Sequence, residues 1–307
     1  MNSSYENRAK LACLYGGGVW GLFWIPLRAL EDAGLNGLWV TVVYFLVPTF
    51  FLIPLSFWRF KYLRSGGLNL QLTGMISGGA LMLYATSIVY TDVVRAMLLF
   101  YLTPVWGTIL GRLFLNENIT PLRIFSMIIA IIGMLTIFGL GVKFPIPQNF
   151  GDWMGVASGL LWAIASLRIR LNQNASAIDM TIGFFMWGTI FAILIALTAA
   201  PSLIPSIPQV IPAFPILLIF VVLFILPGTL ASLWGPKFLN PGLVGLLFMT
   251  EIVVGSISVA LLAGEPFGYR EVIGIILISS ASMFEPVMSI LKKNNNIKLQ
   301  DNQRPEM

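Results

Sequence analysis

One carboxylate stands inside one of the most apolar stretches of the sequence. Residues 246–264 read LLFMTEIVVGSISVALLAG, and Glu251 is the one charged residue among them. In a membrane-spanning helix, Glu251 would lie about ten residues from the start, roughly 15 Å along the axis and near the bilayer centre. An unpaired carboxylate there costs several kcal/mol, so it must be protonated, paired or turned toward a hydrated cavity. We expect Glu251 to bind substrate or to carry a coupled proton, and a structural hydrogen bond to a neighbouring helix is the alternative.

Two charged residues of opposite sign stand three positions apart in the segment YTDVVRAMLL. Asp92 and Arg95 would share one face of a helix, where they can form an interfacial ion pair or a helix cap. The functional alternative makes Arg95 an anchor for a carboxylate at the outer mouth, because a planar guanidinium suits bidentate recognition. Together with Glu251, such an arginine would suit a zwitterion, which is the charge pattern of an amino acid.

Aromatic residues make up 13% of the chain, and many fall within the apolar runs. Most aromatic residues of a membrane protein face lipid, fill the core or form interfacial belts. Trp20 and Trp162 stand out because they lie among glycines and small residues, where a tryptophan face could hold an apolar body or a cation. The candidate substrate-binding or proton-coupling residues are Glu251, Trp20, Trp24, Tyr84, Arg95, Tyr101, Thr103, Trp162, Phe184 and Trp187.

Prolines indicate candidate hinges, and the scarcity of histidine and cysteine argues against enzymatic and metal-binding sites. Pro104 and Pro227 fall within apolar runs, where proline removes a backbone donor and can kink a helix, so they are hinge candidates or packing bends. The chain has no histidine and one cysteine, Cys13, and it lacks a Gly-rich phosphate loop or a metal-ligand spacing. We therefore expect no enzyme, no catalytic residue, no metal and no cofactor.

Composition identifies the elements that must position these residues. The chain is 57% hydrophobic and 10% charged, and its mean hydropathy is +0.87. Such values exclude a soluble domain, and the uniformly apolar runs favour helices over a transmembrane barrel. The fold class expected is an all-α integral membrane protein. Ten spans are predicted, at 11–28, 37–57, 70–90, 95–115, 122–141, 151–170, 179–199, 212–234, 242–263 and 270–290.

The distribution of basic residues predicts the orientation. With both termini inside, four of the 18 lysines and arginines fall outside, namely Arg28, Arg95, Lys143 and Arg270, and the other fourteen fall in the cytoplasm. This asymmetry is the one that the positive-inside rule predicts, so the net charge of +5 needs no nucleic-acid partner.

Internal repeats relate the two halves of the chain. A shift of 148 residues matches Leu98 to Leu246, Phe100 to Phe248, Gly107 to Gly255 and Glu117 to Glu265, and a shift of 142 matches Gly17 to Gly159, Trp20 to Trp162 and Arg28 to Arg170. Five spans in each half put the second copy into the membrane from the opposite side, which gives two inverted repeats around a midplane site. The predicted organisation is a cytoplasmic N-terminus (1–10), a first repeat (11–142), a second repeat (151–291) and a cytoplasmic disordered tail (292–307).

The motifs GGGVWGLFWIPLRAL, TPVWGTILGRLFLNENIT and TEIVVGSISVALLAGEPF give this chain a family resemblance. Over roughly residues 11–290 it resembles the EamA family of the drug/metabolite transporter superfamily. The chain departs from the family pattern in three places. Ile252 follows Glu251 where the family has proline, Thr103 stands before Pro104 where a carboxylate would match, and Asn116 replaces a turn glycine that is kept at Gly264.

The resemblance implies a secondary active transporter. Its substrates would be small organic metabolites, chiefly amino acids or related amines, moved by alternating access and in the export direction. The cavity would be lined by spans 1, 3, 4, 6, 8 and 9. The alternatives are a carrier of quaternary ammonium compounds, osmolytes or other cationic metabolites, or a passive facilitator or channel. The expected partners are the metabolite, protons and membrane lipids, in a monomer or homodimer of a bacterial inner membrane.

Overall fold

The computed structural model of the protein describes residues 3–138, 146–264 and 267–301. Those residues form helices and short helical turns, with no strand among them. Helices are expected because a chain in lipid must satisfy every backbone polar group internally. The helices are α1 (Ser3–Trp20), α2 (Trp24–Asp32), α3 (Gly37–Trp58), α4 (Phe60–Ser65), α5 (Gly67–Tyr90), α6 (Val93–Phe100), α7 (Thr103–Leu115), α8 (Pro121–Phe138), α9 (Phe150–Leu171), α10 (Ala177–Ala199), α11 (Ile207–Val210), α12 (Phe214–Phe220), α13 (Leu226–Trp234), α14 (Pro241–Phe248), α15 (Thr250–Ala263) and α16 (Tyr269–Asp301).

Eight helical stretches of the described residues are long and apolar enough to cross a membrane. They match the predicted spans 2 to 9 within a few residues, and they are Gly37–Trp58, Gly67–Tyr90, Val93–Leu115, Pro121–Phe138, Phe150–Leu171, Ala177–Ala199, Ile207–Lys237 and Pro241–Ala263. The predicted first span corresponds to α1 and α2, which a turn at residues 21–23 separates, and the tenth to α16. Neither is among the eight, so the ten-span arrangement stays a prediction.

Two of these stretches break at matching positions. The fourth predicted span divides into α6 and α7 after Phe100, and the ninth divides into α14 and α15 after Phe248, which is the residue that a shift of 148 aligns with Phe100. The starts match as well. The Asp92 side chain accepts hydrogen bonds from the amides of residues 94 and 95, and the Asn240 side chain accepts them from residues 242 and 243. Asp92 is thus a helix cap, one of the two roles predicted for it.

The ends of the same two stretches also match. Asn116 follows α7 with φ at 52°, and Gly264 follows α15 with φ at 69°. Both are left-handed conformations, which glycine adopts freely and asparagine tolerates better than most residues. Asn116 therefore makes the same backbone turn as Gly264, although its residue type differs.

The predicted hinge prolines lie at irregular points of their helices. Pro104 is the second residue of α7, immediately after the break in the fourth span. Pro227 is the second residue of α13 and follows a π-helical turn at Val221–Ile225. A proline cannot donate a backbone hydrogen bond to the preceding turn, so a wider turn before Pro227 is expected. A hinge role for either proline stays a prediction.

Polar contacts distinguish the two ends of the bundle. At one end Arg59 forms an ion pair with Asp179, Arg170 donates to the Lys237 carbonyl, and Lys237 donates to the Ala175 carbonyl. We call this the basic end. At the opposite end, the Arg95 guanidinium binds Asp152.

Three predictions concern residues at or beyond the edges of the described segments. Lys143 and Glu265 lie outside the described residues. The tail was expected to be disordered from residue 292, but α16 continues to Asp301, and residues 302–307 are again outside the described part. No proline or glycine occurs between residues 287 and 303, so nothing in the backbone chemistry stops the long helix there.

Candidate functional site

A cavity lies at the centre of the bundle, where the broken helices meet α1, α9 and α10. It holds about 40 Å³, and its lining includes Trp20, Trp162, Phe184 and Glu251. A wider cavity of about 410 Å³ shares Glu251 with it and extends past the end of α15 to Glu271. Glu251 is partly exposed, and because it lines both cavities we place that exposure in the cavities rather than in lipid.

The helix breaks position Thr103 and Glu251, two of the polar residues that line the central cavity. Glu251 is the second residue of α15, directly after the break, and Thr103 is the first residue of α7. The Thr103 hydroxyl donates to the Phe100 carbonyl at 2.6 Å, so it satisfies an acceptor that the break leaves free. A shift of 148 aligns Thr103 with Glu251. Matching positions thus carry a hydroxyl in one half and a carboxylate in the other.

Aromatic rings form the walls of the central cavity. The Phe184 ring lies between the two tryptophans, with ring centroids 6.1 Å from Trp20 and 6.5 Å from Trp162. Phe248 packs on Trp162 at 5.8 Å, and the Tyr84 and Phe100 rings are 4.6 Å apart. Phe184 has no exposed surface, and its ring packs against both tryptophans.

The walls also follow the repeat. Trp20 and Trp162 line one cavity, as do Phe100 and Phe248. The glycines at which α1 and α9 approach the broken helices also lie at matching positions of the two repeats. A Cβ on Gly17 would lie 2.9 Å from the Phe248 carbonyl oxygen, and a Cβ on Gly159 would lie 2.5 Å from the Phe100 carbonyl oxygen. Each broken helix is therefore crossed at its break by a helix from the matching position.

Three buried tyrosines interact with the Glu251 carboxyl. Tyr44, Tyr84 and Tyr101 all interact electrostatically with it. The Tyr44 and Tyr101 hydroxyls are buried, and within the described residues neither has a partner at hydrogen-bonding geometry. Such groups are costly unless something binds them. The Tyr101 hydroxyl, which lines the central cavity together with Glu251, is therefore placed to donate to the carboxylate or to a ligand beside it.

The two ends of the site differ in packing. Toward the basic end α7 and α14 touch through their backbones, since a Cβ on Gly107 would lie 2.5 Å from the Pro241 carbonyl oxygen. Toward the opposite end their counterparts, α6 and α15, both line the wider cavity, with Met97 on one side and Val259 on the other. The site is closed between one pair of half-helices and open between the other.

The structure brings eight of the ten predicted site residues to these cavities. Seven of them besides Glu251 line one or both, namely Trp20, Trp24, Tyr84, Tyr101, Thr103, Trp162 and Phe184. Trp24 also donates from its indole to the Ser258 hydroxyl at 2.9 Å. Spans 1, 3, 4, 6 and 9 contribute lining as expected. Span 8 does not among the described residues, whereas span 7 contributes Phe184, span 5 contributes Ile137 and Phe138, and span 10 contributes Glu271.

Arg95 and Trp187 lie elsewhere. The Arg95 guanidinium binds both oxygens of Asp152 and donates to the Ile146 carbonyl at 3.0 Å. Its predicted ion-pair partner was Asp92, but Asp152 is completely buried and its charge needs a cation. Trp187 donates to the Gln71 side chain at 2.9 Å. Neither residue lines the cavities that hold Glu251.

Sequence reasoning missed several lining residues. Phe100 and Phe248 were matched by the 148-residue shift, and that match was the signal that could have marked them. Tyr44 and Glu31 line a third cavity, of about 130 Å³, which shares Trp20 and Tyr84 with the central one. Nothing in the local sequence distinguishes Tyr44 from the other aromatic residues of its span. No group of three His, Cys, Asp or Glu residues that could hold a metal ion occurs among the described residues.

Comparisons with known proteins give a family match over the first part of the chain. A search of the curated proteins gave no match. A solved crystal structure shares the fold, with a TM-score of 0.73 at 16% identity over 91% of this chain and 96% of that one. Residues 8–139 match the model of the EamA-like transporter family. The resemblance expected from the motifs is therefore confirmed over these residues, where this multi-pass membrane protein is similar to the EamA-like transporter family.

Proposed function

We propose that the protein is a secondary active transporter that moves small organic metabolites by alternating access to the central cavity. One observation carries the proposal: the half-helices α7 and α14 are in backbone contact, whereas α6 and α15, at the matching positions, are separated by the wider cavity. Exchanging the two arrangements would open the same site to the other end.

The proposal includes two inverted repeats of five spans. The matching breaks after Phe100 and Phe248 and the matching turns at Asn116 and Gly264 support it. It also places both termini in the cytoplasm of a bacterial inner membrane, as the basic residues predict. In that orientation the wider cavity faces outward. The substrates are amino acids or related amines, moved in the export direction, with Glu251 as the proton-coupling group.

A passive facilitator is the second candidate, and a carrier of quaternary ammonium compounds is the alternative substrate class. The aromatic walls support the latter class equally well. A facilitator needs a continuous path, and the contact of Gly107 with Pro241 obstructs one at the basic end. The packing therefore favours a carrier.

Counterflow in proteoliposomes tests the proposal. Vesicles loaded with an unlabelled amino acid or amine should accumulate the labelled compound transiently, which a channel would not do. Glu251→Gln should abolish the pH dependence of transport while leaving expression intact. Asp32→Asn removes an exposed carboxylate outside the cavities and is the matched control. Unchanged pH dependence in Glu251→Gln would remove the coupling role, and absence of counterflow for every compound would remove the carrier.

A further inference from the structure

The charged residues that the structure describes along the site have one sign. The three cavities that meet around Tyr84 are lined by three carboxylates, Glu31, Glu251 and Glu271, and, within residues 3–138, 146–264 and 267–301, by no lysine or arginine. Glu251 stands at the centre, while Glu31 and Glu271 lie near the ends of α2 and α16. Field lines in a cleft of one sign and low dielectric concentrate ions of the opposite sign. A cation entering the wider cavity thus meets a carboxylate at its mouth and another at its end.

The arginine predicted to anchor a substrate carboxylate is already engaged. This residue is Arg95, and Asp152 and the Ile146 carbonyl hold its guanidinium. Because Asp152 is completely buried, releasing Arg95 would leave an uncompensated charge. A substrate carboxylate in the central cavity would therefore lie near Glu251, and no lysine or arginine among the described lining residues would neutralise it.

The remaining lining suits a positive charge attached to an apolar body. Trp20, Trp162, Phe184 and Phe248 form one continuous set of ring contacts. Aromatic faces attract cations, and the attraction strengthens where water is excluded. The Tyr101 hydroxyl interacts with Glu251 and can donate to it, so the carboxylate keeps a partner while it faces a ligand.

Of the two substrate classes proposed above, we propose that this site takes the amines and rejects zwitterionic amino acids and anions. The ligand is an organic monocation, a primary or quaternary amine with an apolar body. Glu251 is the counter-ion, the tryptophan faces hold the charged group and its substituents, and Glu31 with Glu271 attract the cation to the entrance. Transport of that amine rests on the proposed carrier function. Binding of the amine does not.

A matched series of three probes tests the charge preference on the purified full-length protein. Phenethylamine, phenylalanine and 3-phenylpropionate share a phenyl ring and differ in charge. A ligand that binds only the folded state raises the thermal midpoint, so binding is measured as the midpoint against probe concentration. Phenethylamine should raise it saturably, and the other two should not. A midpoint raised equally by phenylalanine, or not raised by phenethylamine, would overturn the proposal.

Variants test the two kinds of contact. Glu251→Gln should weaken phenethylamine binding about tenfold or more, because it removes the one central countercharge. Trp162→Leu should weaken it, whereas Trp153→Leu on the same helix should not, since Trp153 is 61% exposed and lies outside the cavities. Equal effects of the two tryptophan changes would count against the aromatic contact. The probe series on the parent protein decides the charge preference even where a variant fails to fold.

Counterflow separates this inference from the carrier proposal. Labelled phenethylamine and labelled phenylalanine are compared in the same proteoliposomes. Exchange of phenylalanine without exchange of phenethylamine would keep the carrier and overturn the cation site. Saturable binding of phenethylamine without exchange of either compound would keep the cation site and overturn the carrier.

Discussion

Two matching glycines control the balance between the state closed at the basic end and the alternative state. Replacing one or the other by alanine should shift that balance in opposite directions. Gly107 lies in α7 and Gly255 in α15, and a shift of 148 aligns them. A Cβ on Gly107 would lie 2.5 Å from the Pro241 carbonyl oxygen and 2.9 Å from the Gly242 nitrogen. A Cβ on Gly255 would have the Gly21 carbonyl oxygen as its nearest neighbour, at 3.5 Å, which is ordinary contact.

The magnitude follows from what the new methyl group would meet. Its neighbours at Gly107 are backbone atoms, which cannot rotate away, so α7 and α14 must move apart. Overpacking of this kind costs about 1–3 kcal/mol. That cost reduces the population closed at the basic end by about 5- to 150-fold relative to the alternative state. Gly255→Ala costs nothing comparable in the state that the structure shows. In the alternative state of the alternating-access proposal α15 must approach α6, and the added methyl group would obstruct that approach.

The assay reads access to the wider cavity. Ser256 lines it on α15, and Ser256→Cys is nearly isosteric. The buried native Cys13 is removed by Cys13→Ala. The rate of modification by a water-soluble thiol reagent should fall in Gly107→Ala and should hold or rise in Gly255→Ala. A reporter on the closed side, Thr108→Cys, should respond in the opposite sense.

Two results would refute the reasoning. If both glycine variants lower the labelling rate alike, the changes act through general destabilisation and not through the balance of two states. If neither variant changes the rate although both proteins are folded, the contact between α7 and α14 is not a gate. A thermal midpoint for each variant establishes that the labelled protein is folded.

Three further changes test individual contacts. Asn116→Ala, at φ 52°, should cost about 1 kcal/mol in thermal unfolding, whereas Asn116→Gly should cost nothing. Arg123→Ala leaves Glu285 without its partner at 2.8 Å and should cost about 1–3 kcal/mol, with a double-mutant cycle that recovers the coupling. Burial raises the pKa of the Glu117 carboxyl above its ordinary 4.5, so the folded state holds the proton more tightly and stability falls as pH rises past that value. Glu117→Gln should therefore raise the midpoint at about pH 8, with a gap that closes toward about pH 4; a gap that widens in acid would contradict this.

Much of the fold could be predicted because the length of a membrane helix is visible in the sequence as the length of an apolar run. Eight predicted spans match helices to within a few residues, since a run must be apolar over its whole length to cross lipid. The interruptions were harder to predict. The breaks after Phe100 and Phe248 occur in runs with no local signal other than the later Pro104, and a single sequence does not show where backbone hydrogen bonds are exchanged for tertiary contacts.

The location of a residue at the cavities could be predicted where its chemical type alone determines that location. It could not be predicted where the location depends on a partner that is distant in the sequence. An intramembrane carboxylate must face a cavity or a partner, and Glu251 lines two cavities. The pairing of Arg95 with Asp152, which keeps Arg95 away from the cavities, was not predictable because Asp152 lies 57 positions away and only the fold brings the two together. Trp187 was one of many aromatics, and its bond to Gln71 joins different helices. Long-range pairing of this kind leaves no local pattern.

The aromatic residues of the central cavity match between the two repeats, whereas its carboxylate occurs in one repeat alone. Trp20 matches Trp162 and Phe100 matches Phe248, so the walls would be equivalent whichever end is open. The polar positions do not match, because Thr103 stands opposite Glu251. One carboxylate can neutralise one positive charge at a time. A proton and a cationic amine would therefore compete for Glu251, and that competition would couple the two without a second carboxylate, provided that the scaffold presents Glu251 to each side in turn.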